Sequence, residues 1–327
     1  MKPFRLLAAT LLFGAGFLLS SCGEEDPVDV HIALPKQPSS ALALIAQHKG
    51  FFEEEGLSGS ISFHPSGKRA LNDSLLVGTS DFAVSSDVPI VSALIQGKEV
   101  AVLASIGSTD NQNSIVARKS AGISTPRDLT GKHIATQAAS AVHFFMHTFL
   151  TKYGIHDDLE KSFMKAEKLV AALEEGRIDA FSMREPYVGQ AVQSLGDDVI
   201  VFESPGDYVQ HDLLIARKEF LAEEPDAAER LLRALVKAEE FAVSSPEEAQ
   251  EIVADVLEAD VETVRQSWGA RYLVVSLPQS LMSLFADIVE WIEAENFADN
   301  EGTPNLLPAF ETEPLSAVSK SRVSLIK

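Results

Sequence analysis

Apolar and polar positions change period repeatedly along this chain. Val28 to Leu34 alternates between them, the period-two signature of a strand with one buried face. Ser39 or Ser40 then opens a helix through His48, and Gly50 and Gly56 punctuate its end. Ile61–Phe63 and Asp81–Val84 read as short strands, and Val100–Ile106 as a fully buried one. The order recurs further on. Ser114–Arg118, His133–Thr136, Asp179–Met183 and Val199–Phe202 read as strands, and Ser140 opens a helix through Tyr153. Strands separated by helical stretches predict parallel sheets covered on both faces. From about Lys218 the pattern is mostly helical. Asp226 to Val243 carries Leu231, Leu232, Leu235, Val236 and Phe241 at helical spacing, Pro246 starts a second helix, and Leu277 to Phe297 is a third.

Two stretches match in register. Gly56 and Gly154, Gly78 and Gly176, and Asp81 and Asp179 each stand 98 positions apart, while Pro89 and Pro186 stand 97 apart. His31-Ile32-Ala33 opens the first stretch and His133-Ile134-Ala135 the second, with a first loop four residues longer. This predicts two copies of one α/β unit. The chain leaves the first unit, builds a second sheet and returns with C-terminal helices, so two crossings join two lobes. They fall near Ile106–Asn113 and Glu203–Asp212. The expected division is 29–110 with 213–327 for the first lobe and 111–212 for the second.

Residues 1–21 stand apart from that pattern. Lys2 and Arg5 precede a 14-residue apolar run, Leu6–Leu19, too short to span a bilayer comfortably and laid out as an export signal. Leu19-Ser20-Ser21-Cys22 looks like a bacterial lipobox, in which the cysteine is acylated and becomes the mature N-terminus. Cys22 is the single cysteine of the 327 residues, which excludes an internal disulfide and a cysteine metal cluster. Residues 22–28 read as a polar tether. The expected location is a membrane surface, by a lipid on Cys22, facing the periplasm or cell exterior. The formal charge of −21 excludes a general nucleic-acid binder, which needs a basic face.

The motifs then resemble a known family. Lys49-Gly50-Phe51-Phe52-Glu53-Glu54-Glu55-Gly56-Leu57, Ser66-Gly67 and Gly78-Thr79-Ser80-Asp81-Phe82-Ala83 carry the likeness in the first lobe. Asp128-Leu129-Thr130-Gly131-Lys132-His133-Ile134-Ala135, Ser140 to Phe145, Gly176 to Phe181 and Glu185-Pro186 carry it in the second. Together with Val275–Leu281 and Trp291, they are similar to the solute-binding proteins of ATP-driven (ABC) importers for nitrate, sulfonates, taurine and bicarbonate. That superfamily includes binders of thiamine-pyrimidine precursors and riboflavin. The resemblance covers nearly the whole mature chain. It implies a type II periplasmic-binding-protein-like α/β fold, a cleft that closes on a small solute, and an ABC permease and ATPase as membrane partners. A monomer is expected.

Ligands of open α/β sheets bind beyond the carboxyl ends of the strands. That places Pro38, Ser39 and Ser40 of one loop opposite Ser140 and Ala141 of the other, with Ser66 and Gly67 opening a third helix. Each serine reads singly as a helix cap; as a matched set they read as cleft lining, because helix N-termini suit an anion or carbonyl. Ser86 and Asp87 follow a strand end, and Asp87 is equally a cap or a ligand contact. Glu185 is expected in the cleft because the family resemblance includes an acidic residue before that proline. Two such carboxylates disfavour a bare anion and suit an amine or ring N–H. Asn111, Tyr208 and His211 lie near the crossings, within reach of a ligand in a closed state. The second loop departs from the family's Gly-Thr-Ser type, with Ala139-Ser140 instead, so specificity does not transfer.

Catalytic signatures are missing from the sequence. There is no Gly-x-Ser-x-Gly elbow and no Gly-Lys-Ser phosphate loop. His143 and His147 are four apart, as a metal pair would be, without the zinc-protease glutamate or an identifiable third ligand; His143 reads as a core or ligand-contact histidine. No cofactor and no metal is expected. Trp268 and Trp291 read as packing residues, while Phe82, Phe144 and Tyr187 are the aromatic ligand candidates. The reading is a lipid-anchored, non-enzymatic receptor for a small organic solute, sulfonate- or taurine-like or thiamine-pyrimidine-like. The alternatives are an enzyme of the same fold acting on a small heterocycle and a solute-sensing receptor.

Overall fold

A computed structural model describes residues 26–269, 271–295, 297 and 305–326. The export segment and Cys22 lie outside the described residues. Among the described residues, eleven strands form two sheets. In the first lobe, β1 (Val28–Pro35), β2 (Leu57–His64) and β3 (Phe82–Ser86) are parallel, with β1 central among them. The chain adds β4 (Val100–Thr109) and crosses to the second lobe through 110–113.

There β5 (Ser114–Arg118), β6 (His133–Thr136), β7 (Glu160–Phe163), β8 (Ala180–Met183) and β9 (Val199–Glu203) form a sheet in the order β7-β6-β8-β5-β9. The return crossing, 204–209, leads into β10 (Gln210–Arg217), which lies between β3 and β4. The short β11 (Arg271–Tyr272) pairs with β4 and completes the first sheet.

Both sheets are mixed, where the strand–helix alternation predicted parallel ones. β10 runs antiparallel to β3 and β4, and β5 antiparallel to β8 and β9. The crossings are the reason: each delivers the chain into its sheet from the far end. Residues 210–212, expected in the second lobe, already belong to β10 of the first sheet. The third C-terminal helix runs Ser280–Ala294 rather than from Leu277, because Leu277 bridges Val323 and its N–H donates to the Arg322 carbonyl.

The repeat has a physical basis. Asp81 accepts the His31 N–H at 2.9 Å and meets Arg217 at 2.9 Å. Asp179 accepts the His133 N–H at 3.0 Å and meets Arg118 at 3.2 Å. Each aspartate thus fastens the start of one strand to an arginine on an antiparallel neighbour. Gly56, Gly154, Gly78 and Gly176 all have positive φ, the turn conformation glycine adopts without strain. A large buried cluster centred on the first sheet extends into the second lobe, and a smaller one around Val116, Leu173 and Phe181 fills the second.

Candidate functional site

The strand ends of the two lobes face each other across a narrow cleft. About 40 Å³ of it admits the centre of a water molecule. The first lobe lines it with Gln37, Ser39, Ser66, Gly67, Lys68, Ser85 and Ser86, and the second with Gln137, Ser140, Ala141 and Arg184. Gln112, Gln210, Asp212 and Arg271 close it at the crossings.

Backbone packing brings these groups close. A Cβ on Gly67 would stand 2.8 Å from the Ser85 Cα, so only glycine lets the helix Gly67–Ala70 lie directly on β3. Ser66 caps that helix, accepting from the Arg69 N–H at 3.3 Å. Ser140 instead donates to the Gln137 carbonyl at 2.6 Å, which leaves the helix Ala141–Tyr153 without a side-chain cap. Ala139, beside it, holds φ 47°, a left-handed conformation costly for a residue with a Cβ. Lys68 Nζ reaches across to the carbonyls of Ala138 and Ala139, at 3.4 and 3.3 Å, and ties the lobes together.

The cleft chemistry is cationic within an acidic protein. Arg271 ion-pairs with the buried Asp212 and donates to Gln112 Oε1 at 2.8 Å. The Arg184 guanidinium has no hydrogen bond or ion pair among the described residues. Burial holds its pKa below the ordinary guanidinium range, with nearby Asp212 pulling the other way. Burial also lowers Lys68. The Ser85 hydroxyl, buried at 1% exposure, has no hydrogen-bond partner among the described residues. A free guanidinium, an ammonium, a free hydroxyl and an uncapped helix start are together a set of donors for an anion.

Of the residues expected to bind ligand, Ser39, Ser66, Gly67, Ser86, Ser140 and Ala141 line the cleft. Pro38, Ser40, Asp87, Asn111, His143, Glu185, Tyr208 and His211 do not. Ser40 is fully buried and its hydroxyl donates to the Pro35 carbonyl. Asp87 is fully buried at a helix start. It accepts from the Val88 N–H at 2.7 Å, the His211 N–H at 2.9 Å and the Tyr208 hydroxyl. Burial pushes its carboxyl up to about 7 despite those bonds. It therefore fixes the return crossing to the first lobe, while Lys152 holds the adjacent Asp207 to the second at 2.8 Å.

Tyr208 is spent on Asp87, and His211 Nδ1 lies 2.9 Å from the Ser105 hydroxyl. Glu185 is exposed, just before the helix Tyr187–Leu195, and accepts the N–H of Gly189 within that helix. Asn111 is exposed on the first crossing, and Pro38 is half-buried beside the cleft. His143 packs edge-on against Phe163, Trp291 and Phe297, and burial lowers it to about 4. The aromatic candidates also pack elsewhere: Phe82 against Phe220, Phe144 against Tyr208, and Tyr187 on the smaller core. Among the described residues no aromatic ring lines the cleft.

Sequence reasoning missed Lys68, Ser85, Arg184 and Arg271. For Arg184 a signal existed: the 98-residue offset sets it opposite Ser86, a residue already assigned to the cleft.

Residues 37–249 match the family described as NMT1/THI5 like. The chain belongs to that family. A Bacillus subtilis relative named as an aliphatic sulfonates-binding protein is 25% identical over 76% of this chain and 77% of its own. The taurine-binding periplasmic protein of Escherichia coli is 24% identical over 67% of this chain and 68% of its own. Among solved structures, the alkanesulfonate-binding protein SsuA from Xanthomonas axonopodis pv. citri, bound to MOPS, superposes with a TM-score of 0.73. It is 18% identical, with 88% of this chain and 99% of that one covered. That likeness places this member of the family in the periplasmic-binding-protein-like fold, two α/β lobes about a cleft. No helix among the described residues is long and apolar enough to cross a membrane.

Proposed function

We propose that this protein is an extracytoplasmic receptor that captures a small organic sulfonate between its lobes and delivers it to an ABC importer. One observation carries the choice of sulfonate: Arg184, a desolvated guanidinium without a partner among the described residues, faces the cleft. A planar guanidinium suits an oxyanion, with two parallel N–H donors. Ser85 and the uncapped helix start would take its remaining oxygens. The lining offers hydrogen bonds and charge rather than a stacking face, which favours a sulfonate over a pyrimidine. The sulfonate- and taurine-binding relatives support the same class.

Receptor chemistry also fits better than catalysis. Two carboxyls are raised by burial: Asp87 is held by Tyr208 and His211, and Asp212, at the cleft, is ion-paired with Arg271, so each is engaged by the protein rather than poised for a substrate. The sequence Leu19-Ser20-Ser21-Cys22 supports anchoring by acylation of Cys22. Labelling with radioactive palmitate should mark the full chain and not a Cys22→Ser variant.

Isothermal titration with ethanesulfonate, taurine, nitrate and a 4-aminopyrimidine tests the ligand. Saturating ethanesulfonate or taurine, at about 100 times the dissociation constant, should add about 2.7 kcal/mol of stability. Binding of the aminopyrimidine alone would overturn the sulfonate assignment, and turnover of a bound ligand would overturn the receptor reading.

A further inference from the structure

A second cluster of chemical groups lies outside the cleft, where the lobes meet at the end of the helix Ser280–Ala294. Residue spacing pairs His147 with His143, but the fold pairs it with His156. His147 Nδ1 stands 2.9 Å from His156 Nε2. The same His156 nitrogen is 3.0 Å from Glu295 Oε1 and 2.9 Å from Lys161 Nζ. Lys161 Nζ is itself 3.0 Å from Glu295 Oε1. One ring nitrogen thus has three polar neighbours and a single proton or lone pair to offer.

The other ring nitrogen decides which. His156 Nδ1 is 3.0 Å from Asp157 Oδ1, a carboxylate oxygen that accepts, so Nδ1 carries a proton. In the neutral ring, Nε2 is then a lone pair set against a carboxylate oxygen. With a second proton, Nε2–H faces the Lys161 ammonium. Neither form satisfies all three neighbours. A cation held by the lone pairs of His147, His156 and Glu295 removes the conflict, with Lys161 displaced to solvent.

We infer that His147 Nδ1, His156 Nε2 and Glu295 Oε1 form a site for a divalent cation of the zinc type. The three donor atoms lie within 4.8 Å of one another. Tetrahedral zinc with bonds of about 2.1 Å holds its ligands about 3.4 Å apart, a few tenths of an ångström wider than the contacts above. Two imidazoles and one carboxylate suit zinc better than calcium or magnesium. Asp157 supplies the carboxylate that orients a metal-binding histidine through its other nitrogen. Lys161 is the competing cation.

The ligands come from both lobes: His147 and His156 from the second, Glu295 from the first. The cation therefore joins the lobes, and it favours the arrangement in which they touch. On the reading that solute binds the cleft, each ligand raises the other's affinity by the same factor.

Titration of the chelator-stripped protein with zinc chloride, followed by calorimetry, tests the site without any solute. Cobalt(II) absorption reports its geometry. One ion per chain is expected, with tetrahedral cobalt bands. Glu295→Gln should weaken binding by at least about 10-fold, and Lys161→Met should strengthen it by removing the competitor. A purely structural ion-pair cluster predicts no gain for Lys161→Met. His156→Ala extends the test where it folds; Glu295→Gln and Lys161→Met suffice without it. The inference is overturned if the wild-type protein takes up no zinc, or if neither substitution changes the affinity.

Discussion

The two lobes share a frame and differ at its working edge. In both, an aspartate 98 positions from its twin clips a strand start to an arginine, with near-equal distances. Five residues further, the copies part. Ser86 and Asp87 in the first lobe stand where Arg184 and Glu185 stand in the second. In the first, the acid is buried and works as a fastener; in the second, it faces solvent and the preceding residue presents a guanidinium. The twin positions keep what holds a strand in place and differ where they line the cleft. At this pair of positions the outcome is asymmetric, a hydroxyl at Ser86 and a guanidinium at Arg184, although Lys68 also puts a cation on the first wall.

The sharpest test of that asymmetry is Arg184→Met. Losing one partner of a desolvated charge contact costs about 2–5 kcal/mol, so sulfonate affinity should fall by at least about 30-fold in calorimetry while the melting temperature holds. Equal affinity would place the charge outside the site. The shared frame is tested by Asp81→Asn and Asp179→Asn. Each should lower unfolding free energy in urea by about 1–3 kcal/mol, through loss of a charged hydrogen bond. Strongly unequal costs would show that the lobes do not use their twin aspartates alike.

Asp87→Asn separates fastening from binding by its pH dependence. A carboxyl raised from 3.8 to about 7 contributes stability that is complete below 3.8 and lost as pH rises through 7. The variant's stability deficit should therefore be largest near pH 4 and shrink toward pH 7. A deficit that grows with pH would mean the carboxylate is stabilised, not strained, by its burial. The smallest effect belongs to Glu185→Gln, which should leave the sulfonate dissociation constant unchanged. A tenfold loss would return Glu185 to the cleft.

Much of the frame was legible because it is local or periodic. The strand periods located most strands of both sheets but not β10 or β11, and the repeated glycines and aspartates pointed to the duplication. Strand direction was not legible, since a crossing fixes which end of a strand enters the sheet. Nor was the cleft's charge. Arg271 reaches the site only because β11 pairs with β4, more than 160 residues earlier in the chain. Asp87 looked available because nothing in its own segment announces Tyr208, which lies 121 residues away. Serines at strand ends were recognisable by position, whereas the groups with the strongest electrostatic effect depended on tertiary folding.

The placement of β10 between β3 and β4 bears on the order of assembly. Until residues 210–217 have been synthesised, the first sheet has a gap at its centre, with the edges of β3 and β4 both unpaired. The second lobe is contiguous, and all five of its strands are complete by Glu203. A nascent chain thus closes its later lobe first and keeps its earlier one open until nearly two thirds of the sequence has emerged. The same contiguity favours the second lobe when the whole chain refolds, because its pairings span fewer residues, and pulsed hydrogen exchange should then show protection of 114–203 ahead of 100–109.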